Sequence, residues 1–470
     1  MDNFYGDETP VAAFATPPGN SALTLIRCSG KDAIDMAVSV FSAPEKLKQA
    51  KGNTVLHGWI VAANEKIDEV LISVFHAPKS YTGEDSLDIS CHGGPSAGRA
   101  VMETLKKSGF RDALPGEFTF RAFMNGKLDL TRSESVMELV SAKTDTGRRH
   151  AINRLSGALE TEINNIKKLL VEVLSGAEIF LDYSEDEIGA DAKADTGDEA
   201  AGRLPGQKLA REALVRLKKL AASWQRERIY QEGILAVIAG RPNAGKSSLF
   251  NALLREDRSI VTEIPGTTRD WIEAWVSIEG IPVRLADTAG LRESADPIEK
   301  IGVERSRKLL DEADLILYLI DGVEGITGED RDFITINNEQ NLLLIWNKAD
   351  VAANTTGNNF AVLSVSAKTG EGIAELGRAI AATIETQADT AADKAHNLQT
   401  AALGSTRQKN LIEAACAALQ ESLRLAEQEE PLDIIAPLLR EAVNSLGEIT
   451  GEVSTADILE EMFSKFCVGK

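Results

Sequence analysis

Ile234-Leu-Ala-Val-Ile-Ala-Gly240-Arg-Pro-Asn-Ala-Gly245-Lys246-Ser247 runs directly into Ser248-Leu-Phe-Asn-Ala-Leu-Leu254. An unbroken apolar run, a GxxxxGKS octet and an amphipathic run read as strand, loop and helix in that order. Glycines let consecutive backbone N–H groups close around an anion, and the helix N-terminus adds partial positive charge. Lys246 is therefore expected to reach the β and γ phosphates of a nucleotide, and the Ser247 hydroxyl to ligate Mg²⁺. Asn243, Ala244, Gly245 and Ser248 complete the expected cradle.

Three further signals follow in an order that fits this one. Asp287-Thr288-Ala289-Gly290 comes after the strand-like Val283-Arg-Leu-Ala286, which puts a carboxylate at a strand end, where it can hold magnesium through water. Gly290 can offer its N–H to a γ-phosphate. Asn347-Lys348-Ala349-Asp350 ends another apolar run, and the Asp350 carboxylate can accept from the N1 and N2 donors that guanine presents and adenine lacks. Ser366-Ala367-Lys368 closes the base pocket after Ala361-Val-Leu-Ser-Val365. Together they predict a GTPase domain.

Two positions depart from a Ras-like pattern. Leu291 stands where a glutamine would orient the attacking water. Arg292, Glu293, Asp296 and Glu299 follow as candidates, and each also reads as an ordinary surface charge. Asn243 can offer its amide oxygen to a monovalent cation beside the phosphates, stabilising charge in the transition state; alternatively it only satisfies backbone in a tight turn.

Outward from this core, the 470 residues suggest about three domains. Residues 1–125 alternate β-rich runs (Ala22–Arg27, Val70–Phe75, Leu87–Ser90) with a helical piece at Ser96–Ser108, an α+β pattern. Residues 126–231 turn to long amphipathic stretches such as Ala151–Leu181. Residues 232–384 show the buried runs of a parallel sheet, including Leu315–Ile320 and Leu342–Trp346. Residues 385–470 are helical again from Leu398 to Phe466, with breaks expected at Pro431 and Pro437. The expected fold is multidomain α/β: an N-terminal α+β domain, then a helical domain split by an inserted Ras-like P-loop GTPase domain, neither helical flank having an evident core of its own.

Composition narrows the classes. With 43% hydrophobic and 26% charged residues the chain is globular, and no apolar stretch approaches the ~20 residues of a membrane span. Met1-Asp-Asn-Phe-Tyr-Gly-Asp-Glu8 lacks the basic-then-apolar order of an export signal, so a cytoplasmic protein is expected. Cys28, Cys91, Cys416 and Cys467 are scattered without CxxC spacing, which argues for reduced thiols. The net charge of −21 excludes nucleic-acid binding by bulk charge; Arg99–Arg154, with 11 basic residues against 7 acidic, is a stretch suited to weak RNA contact. The acidic run from Asp182 to Glu199 reads as a solvated loop whose spacing fits no calcium loop.

Gly240–Ser248, Ile264-Pro-Gly-Thr-Thr-Arg-Asp270, Asp287–Arg292 and the terminal Phe466-Cys-Val-Gly-Lys470 together resemble the MnmE (TrmE) family of tRNA-modification GTPases. Thr16-Pro-Pro-Gly19, Tyr81-Thr-Gly-Glu-Asp85, Cys91-His-Gly-Gly94, Pro115–Thr119 and Asn125–Leu130 extend the resemblance over essentially the whole chain. It implies a homodimer joined through N-terminal domains that bind 5-formyltetrahydrofolate or a related reduced folate. It also implies the FAD-dependent partner MnmG, in a heterotetramer or larger, and tRNA as substrate, the joint product being a 5-aminomethyl or 5-carboxymethylaminomethyl wobble uridine. Asn243, Thr262, Ile264 and Thr267 would ligand K⁺, within a loop that includes Glu263, Pro265 and Gly266. Ser247 and Thr268 would ligand Mg²⁺, Glu299 would orient the water, and Arg292 is a further catalytic candidate.

For the folate, the resemblance points to Arg27, Lys127 and Lys470, with Asp88 where the family commonly has glutamate. It also brings the C-terminal tail to that site, so Cys467 is expected to act on the one-carbon unit or the uridine; without the resemblance it reads equally as a buried inert thiol. Gly469 and Lys470 make Cys467 a poor lipidation signal. An Era-like ribosome-assembly switch is the alternative, and the absence of a recognisable RNA-binding module or second G domain after residue 384 speaks against it. A dynamin-like assembly GTPase would need a lipid-binding or polybasic segment, and none is visible.

Overall fold

The computed structural model describes residues 7–63, 65–182, 204–256, 272–287, 308–337, 341–352, 362–388 and 401–470. The acidic run beyond Asp182 lies outside them. In chain order the elements are β1 (Val11–Phe14), β2 (Leu23–Ser29), α1 (Ala33–Val38), α2 (Pro44–Lys48), β3 (Thr54–Ala62), β4 (Glu65–Phe75), β5 (Ser86–His92), α3 (Pro95–Lys107), β6 (Arg111–Asp112), α4 (Glu117–Met124), α5 (Leu130–Ser141), α6 (Asp145–Leu155) and α7 (Ala158–Asp182). They continue with α8 (Gln207–Glu232), β7 (Ile234–Gly240), α9 (Lys246–Glu256), β8 (Ile272–Ile278), β9 (Ile281–Asp287), β10 (Leu315–Asp321), α10 (Gly328–Ile336), β11 (Leu342–Asn347), β12 (Val362–Ser364), α11 (Ile373–Ala388), α12 (Thr406–Glu427), α13 (Leu432–Thr450) and α14 (Ala456–Ser464). The chain divides into two compact units, one of residues 1–137, 155–214 and 410–470, the other of 138–154 and 215–409.

In the first unit a six-stranded sheet runs β3-β4-β5-β2-β1-β6, antiparallel except for β1 and β6. β4 alternates: Val70, Ile72 and Val74 are buried while Leu71 is exposed, the pattern of a sheet covered on one face. Ala33, Ile34 and Ala37 of α1 and Val101, Met102 and Leu105 of α3 fill that covered face. The helical part of this unit is built from chain on both sides of the inserted domain. Ile163, Ile166, Leu170, Val173 and Ala177 make the buried stripe of α7, Ile435, Leu439, Ala442, Leu446 and Ile449 that of α13, and these two helices pack together. Each flank thus completes the other's core. Phe463 and Phe466 pack with Phe120, Phe123 and Leu130, seating the C-terminal end of the chain in the same unit.

The helical stretch expected from Ala151 to Leu181 is two helices, parted at Ser156-Gly157, where Gly157 has φ +95°. Pro431 precedes α13 as expected, but Pro437 lies inside that helix. There proline removes one N–H from the helical ladder without ending it, and the break falls instead at Gly451 in the left-handed conformation.

In the second unit a sheet of order β12-β11-β10-β7-β9-β8 is parallel except for the β8–β9 pair. β10 is buried along its length and β7 up to Gly240, which explains their continuous apolar sequences. Leu249, Phe250 and Leu253 of α9 and Leu376, Ile380 and Ile384 of α11 share one core with the sheet. Phe333 and Ile334 of α10 pack in a separate cluster with Ile316, Tyr318 and Trp346. β7 lies between β10 and β9, so the chain turns to opposite sides of it, and the carboxyl end of such a strand is where doubly wound sheets bind ligands.

Candidate functional site

The loop after β7 occupies that carboxyl end. Gly240 and Gly245 have φ of +143° and +97°, and neither has room for a side chain: a Cβ would stand 2.5 Å from the Leu319 carbonyl oxygen at Gly240 and 2.2 Å from Asn347 Nδ2 at Gly245. Asn243, at φ +63°, holds a left-handed position that asparagine tolerates better than most residues. Lys246 is buried, its Nζ donating to the carbonyls of Gly240 and Arg241 at 3.0 and 2.9 Å. Its charge is thereby held inside the loop whose N–H groups would surround a phosphate.

Ser247 Oγ donates to Asp287 Oδ2 at 2.8 Å, and Asp287, the last residue of β9, is buried. A hydroxyl and a carboxylate side by side are hard oxygen donors and fit magnesium. Thr262, Glu263, Ile264, Pro265, Gly266, Thr267, Thr268, Thr288, Ala289, Gly290, Leu291, Arg292, Glu293, Asp296 and Glu299 lie outside the described residues. Of the expected potassium ligands, only Asn243 is therefore described.

Asn347–Asp350 and Ser366–Lys368, the stretches expected to recognise the base, converge on the same loop. Asn347 Nδ2 donates to the Ala244 carbonyl at 2.7 Å and its Oδ1 accepts from Ala367 N–H at 3.1 Å, so one buried amide ties the phosphate loop to Ser366-Ala367-Lys368. Ser366 Oγ donates to Asp350 Oδ1 at 2.7 Å, orienting the carboxylate. Ala349 N–H donates to the Val365 carbonyl. An open pocket lies between Ser248, Asn251 and Arg255 of α9 and Lys368, Thr369 and Gly370 after β12.

Several supporting residues escaped the sequence. Asp321, at the end of β10, holds Lys348 at 2.6 Å. Burial pushes its carboxyl up, but the bond from Lys348, the Val323 and Glu324 N–H groups and the lysine charge outweigh this and leave it below the ordinary value. Arg241 pairs with Glu324 at 2.6 Å and Asp330 at 3.3 Å, and Asp330 also accepts from the Tyr318 hydroxyl at 2.8 Å. Strand-end acidic residues after apolar runs were the available signal for Asp321; nothing local marked Asp330.

A second cluster forms in the N-terminal unit. Arg27 and Asp88 are directly opposed on β2 and β5, with Nε to Oδ1 at 3.0 Å. The guanidinium lies 5.8 Å from the Tyr81 ring centroid and 6.0 Å from that of Phe118, and its Nη1 donates to the Gly469 carbonyl at 3.5 Å. Lys127 Nζ donates to the Pro78 carbonyl at 2.9 Å, next to the Tyr81–Asp85 loop. Gly469, at φ +92°, lies against the Phe14 carbonyl, Lys470 N–H donates to the Cys467 carbonyl, and that carbonyl also accepts from Gly116 N–H at 3.3 Å. Arg27, Asp88 and the chain end are thus together, and Cys467 is exposed while Cys28, Cys91 and Cys416 are buried. Nothing local in the sequence marked Arg121, which is buried among Glu84 and Glu117 and braces the Tyr81–Asp85 loop.

Comparison with known proteins covers the whole chain. The profile of the MnmE helical domain matches residues 130–467, and that of the GTP-binding protein TrmE N-terminus matches residues 10–127. The tRNA modification GTPase MnmE of Treponema denticola is 42% identical, over 99% of this chain and 99% of its own length. The proteins of that name from Carboxydothermus hydrogenoformans (39%, covering 98% of this chain and all of the relative) and Acetivibrio thermocellus (37%, 99% and all) are similar throughout. Among solved structures, the G domain of the T. maritima FeoB iron transporter is 28% identical, covering 32% of this chain and 98% of that one at a TM-score of 0.25.

Proposed function

The chain belongs to the MnmE family of tRNA modification GTPases, and from that premise we propose that it is a K⁺-stimulated GTP hydrolase acting with MnmG. The pair adds an aminomethyl or carboxymethylaminomethyl group to C5 of the tRNA wobble uridine. The observation that carries the hydrolase reading is the hydrogen-bonded Ser247–Asp287 pair beside Lys246, with Asn347 tying that loop to the base-recognition loop. Magnesium bound there supplies charge neutralisation for phosphoryl transfer. Lys246 neutralises phosphate oxygens, Asp350 selects guanine, and Asn243 with Thr262, Ile264 and Thr267 holds K⁺. Glu299 orients the water in place of the glutamine absent at Leu291, and Arg292 is the second catalytic candidate in that segment.

A reduced folate is proposed at Arg27, Asp88, Lys127 and Lys470. Arg27 and Asp88 offer a paired donor and acceptor beside two aromatic rings, a fit to a flat heterocycle with N–H groups and a carboxylate tail. By strand register the same sheet face carries Leu23, Val55 and Leu71, all exposed, which supports a second copy of the chain closing over this face. Among the described residues no helix is long and apolar enough to cross a membrane, and we place the protein in the cytoplasm with its tRNA substrate.

GTP hydrolysis measured in matched KCl and NaCl tests the hydrolase half. Faster turnover in KCl, lost in Asn243→Ala, is expected; equal rates in both salts contradict the cation reading. Calorimetry with 5-formyltetrahydrofolate on the intact dimer tests the folate site, which the absence of binding heat would remove.

A further inference from the structure

The β8–β9 hairpin joins the two sequence stretches expected to sense the γ-phosphate. β8 begins at Ile272, just after Ile264–Asp270, and β9 ends at Asp287, the first residue of Asp287–Gly290. Drawing Thr268 or Gly290 toward a phosphate therefore acts on one or other foot of a single hairpin. Its tip is stiff: Glu279 and Gly280, at φ +49° and +83°, form the two-residue turn that the strand twist favours.

That hairpin touches a helix outside the nucleotide-binding sequence. A Cβ on Gly280 would stand 2.6 Å from Thr146 Oγ1, in the first turn of α6. Lys143 Nζ, just before α6, lies 4.5 Å from the Trp275 ring centroid on β8. These residues belong to the same compact unit as the nucleotide site.

α6 also packs against α8 along its length. Gly147 abuts the Tyr230 carbonyl, where a Cβ would meet oxygen at 2.9 Å, and the His150 ring is 4.9 Å from that of Tyr230. Arg154, buried, pairs with Glu227 and Glu138 at 2.7 Å each, and His150 Nδ1 lies 2.9 Å from Glu227. Glu227 and Tyr230 are on α8, which ends at Glu232 and passes through Gly233 into β7 and the phosphate loop. One end of α6 is thus anchored by buried ion pairs to the element leading into the P-loop. The other end bears on the hairpin that joins the two stretches expected at the γ-phosphate.

We propose that the β8–β9 hairpin is a lever that passes the nucleotide state to α6, with Thr146 and Lys143 as its receiving residues and the Arg154–Glu227 pair as the pivot. The proposal rests on the GTPase reading above, and its test separates the two. Hydrogen exchange is followed on the full-length chain in Mg²⁺ and K⁺, with GDP or with the non-hydrolysable analogue GppNHp. Either nucleotide should protect residues 240–248, and amides of 144–150 should exchange at rates differing by about fivefold or more between the two nucleotides. Lys143→Ala/Thr146→Ala should keep the protection at 240–248 and lose most of the difference at α6; Thr146→Val serves as a second, near-isosteric variant should the double change not fold. Equal α6 exchange in both nucleotides with 240–248 protected overturns the lever alone, as does an undiminished difference in the variants. No protection at 240–248 in the wild type overturns the GTPase reading and the lever with it.

Discussion

Ser247 Oγ and Asp287 Oδ2 are 2.8 Å apart although 40 residues separate them in the chain. Parallel pairing of β7 with β9 accounts for this, because it brings the carboxyl ends of the two strands together. If that pair is the magnesium seat, Ser247→Ala and Asp287→Asn should each slow GTP hydrolysis by about 10²-fold or more and raise the Mg²⁺ concentration needed for half-maximal rate. A rate loss with unchanged Mg²⁺ dependence would assign the pair to folding instead.

Asp350 is exposed and oriented by Ser366. Asp350→Asn replaces an acceptor by a mixed donor and acceptor, and losing hydrogen bonds to a charged group should weaken GTP binding by about 1.5–3 kcal/mol. Competition between GTP and ATP for the variant, read by fluorescence, checks this; retained preference for GTP would place base selection elsewhere.

Only Cys467 is exposed among the four cysteines. Burial pushes the Cys91 thiol up to about 11 and, with the Asp88 charge also contributing, raises Cys28 further still. Brief alkylation at pH 8 should label Cys467 first, located by peptide mass. Cys467→Ser should abolish wobble-uridine modification while GTP hydrolysis stays near wild type; normal modification in that variant would leave Cys467 without a chemical role.

Glu227 gives a pH dependence with a definite sign. Burial alone raises its carboxyl, but the His150 hydrogen bond and the Arg154 charge together hold it below the ordinary 4.5. A depressed carboxyl contributes stability that is fully present above pH 4.5 and is lost as pH falls through the folded value. Glu227→Gln should flatten this acid limb in melts between about pH 3 and 6. Arg154→Met, which takes the cation away from buried Glu227 and half-buried Glu138, should cost about 3–5 kcal/mol in denaturant titrations at pH 7.

The nucleotide site was legible because its chemistry restricts residue type at fixed spacing. The tight loop after β7 needs glycine at 240 and 245, where a Cβ would meet Leu319 and Asn347, and the proposed guanine contact calls for a carboxylate at 350. The doubly wound sheet was legible for a related reason: strands buried on both faces write themselves as Ile234–Ala239 and Leu315–Ile320. What periodicity could not reveal was pairing across long sequence distance. Lys348 with Asp321, Arg241 with Asp330, and Arg121 with Glu84 and Glu117 are charges that look solvated one residue at a time. The meeting of α7 with α13 was hidden in the same way, since each stripe is only half of a core. Pro437 misled because a proline costs one ladder bond, and the buried stripe around it outweighs that loss.

Nucleoside mass analysis of tRNA tests the central claim most directly, using a strain deleted for this chain and complemented with the wild type or with Ser247→Ala. The account predicts that 5-aminomethyl and 5-carboxymethylaminomethyl wobble uridines vanish on deletion, return with the wild type and fail to return with Ser247→Ala. Unchanged modified uridine in the deletion strain would contradict it.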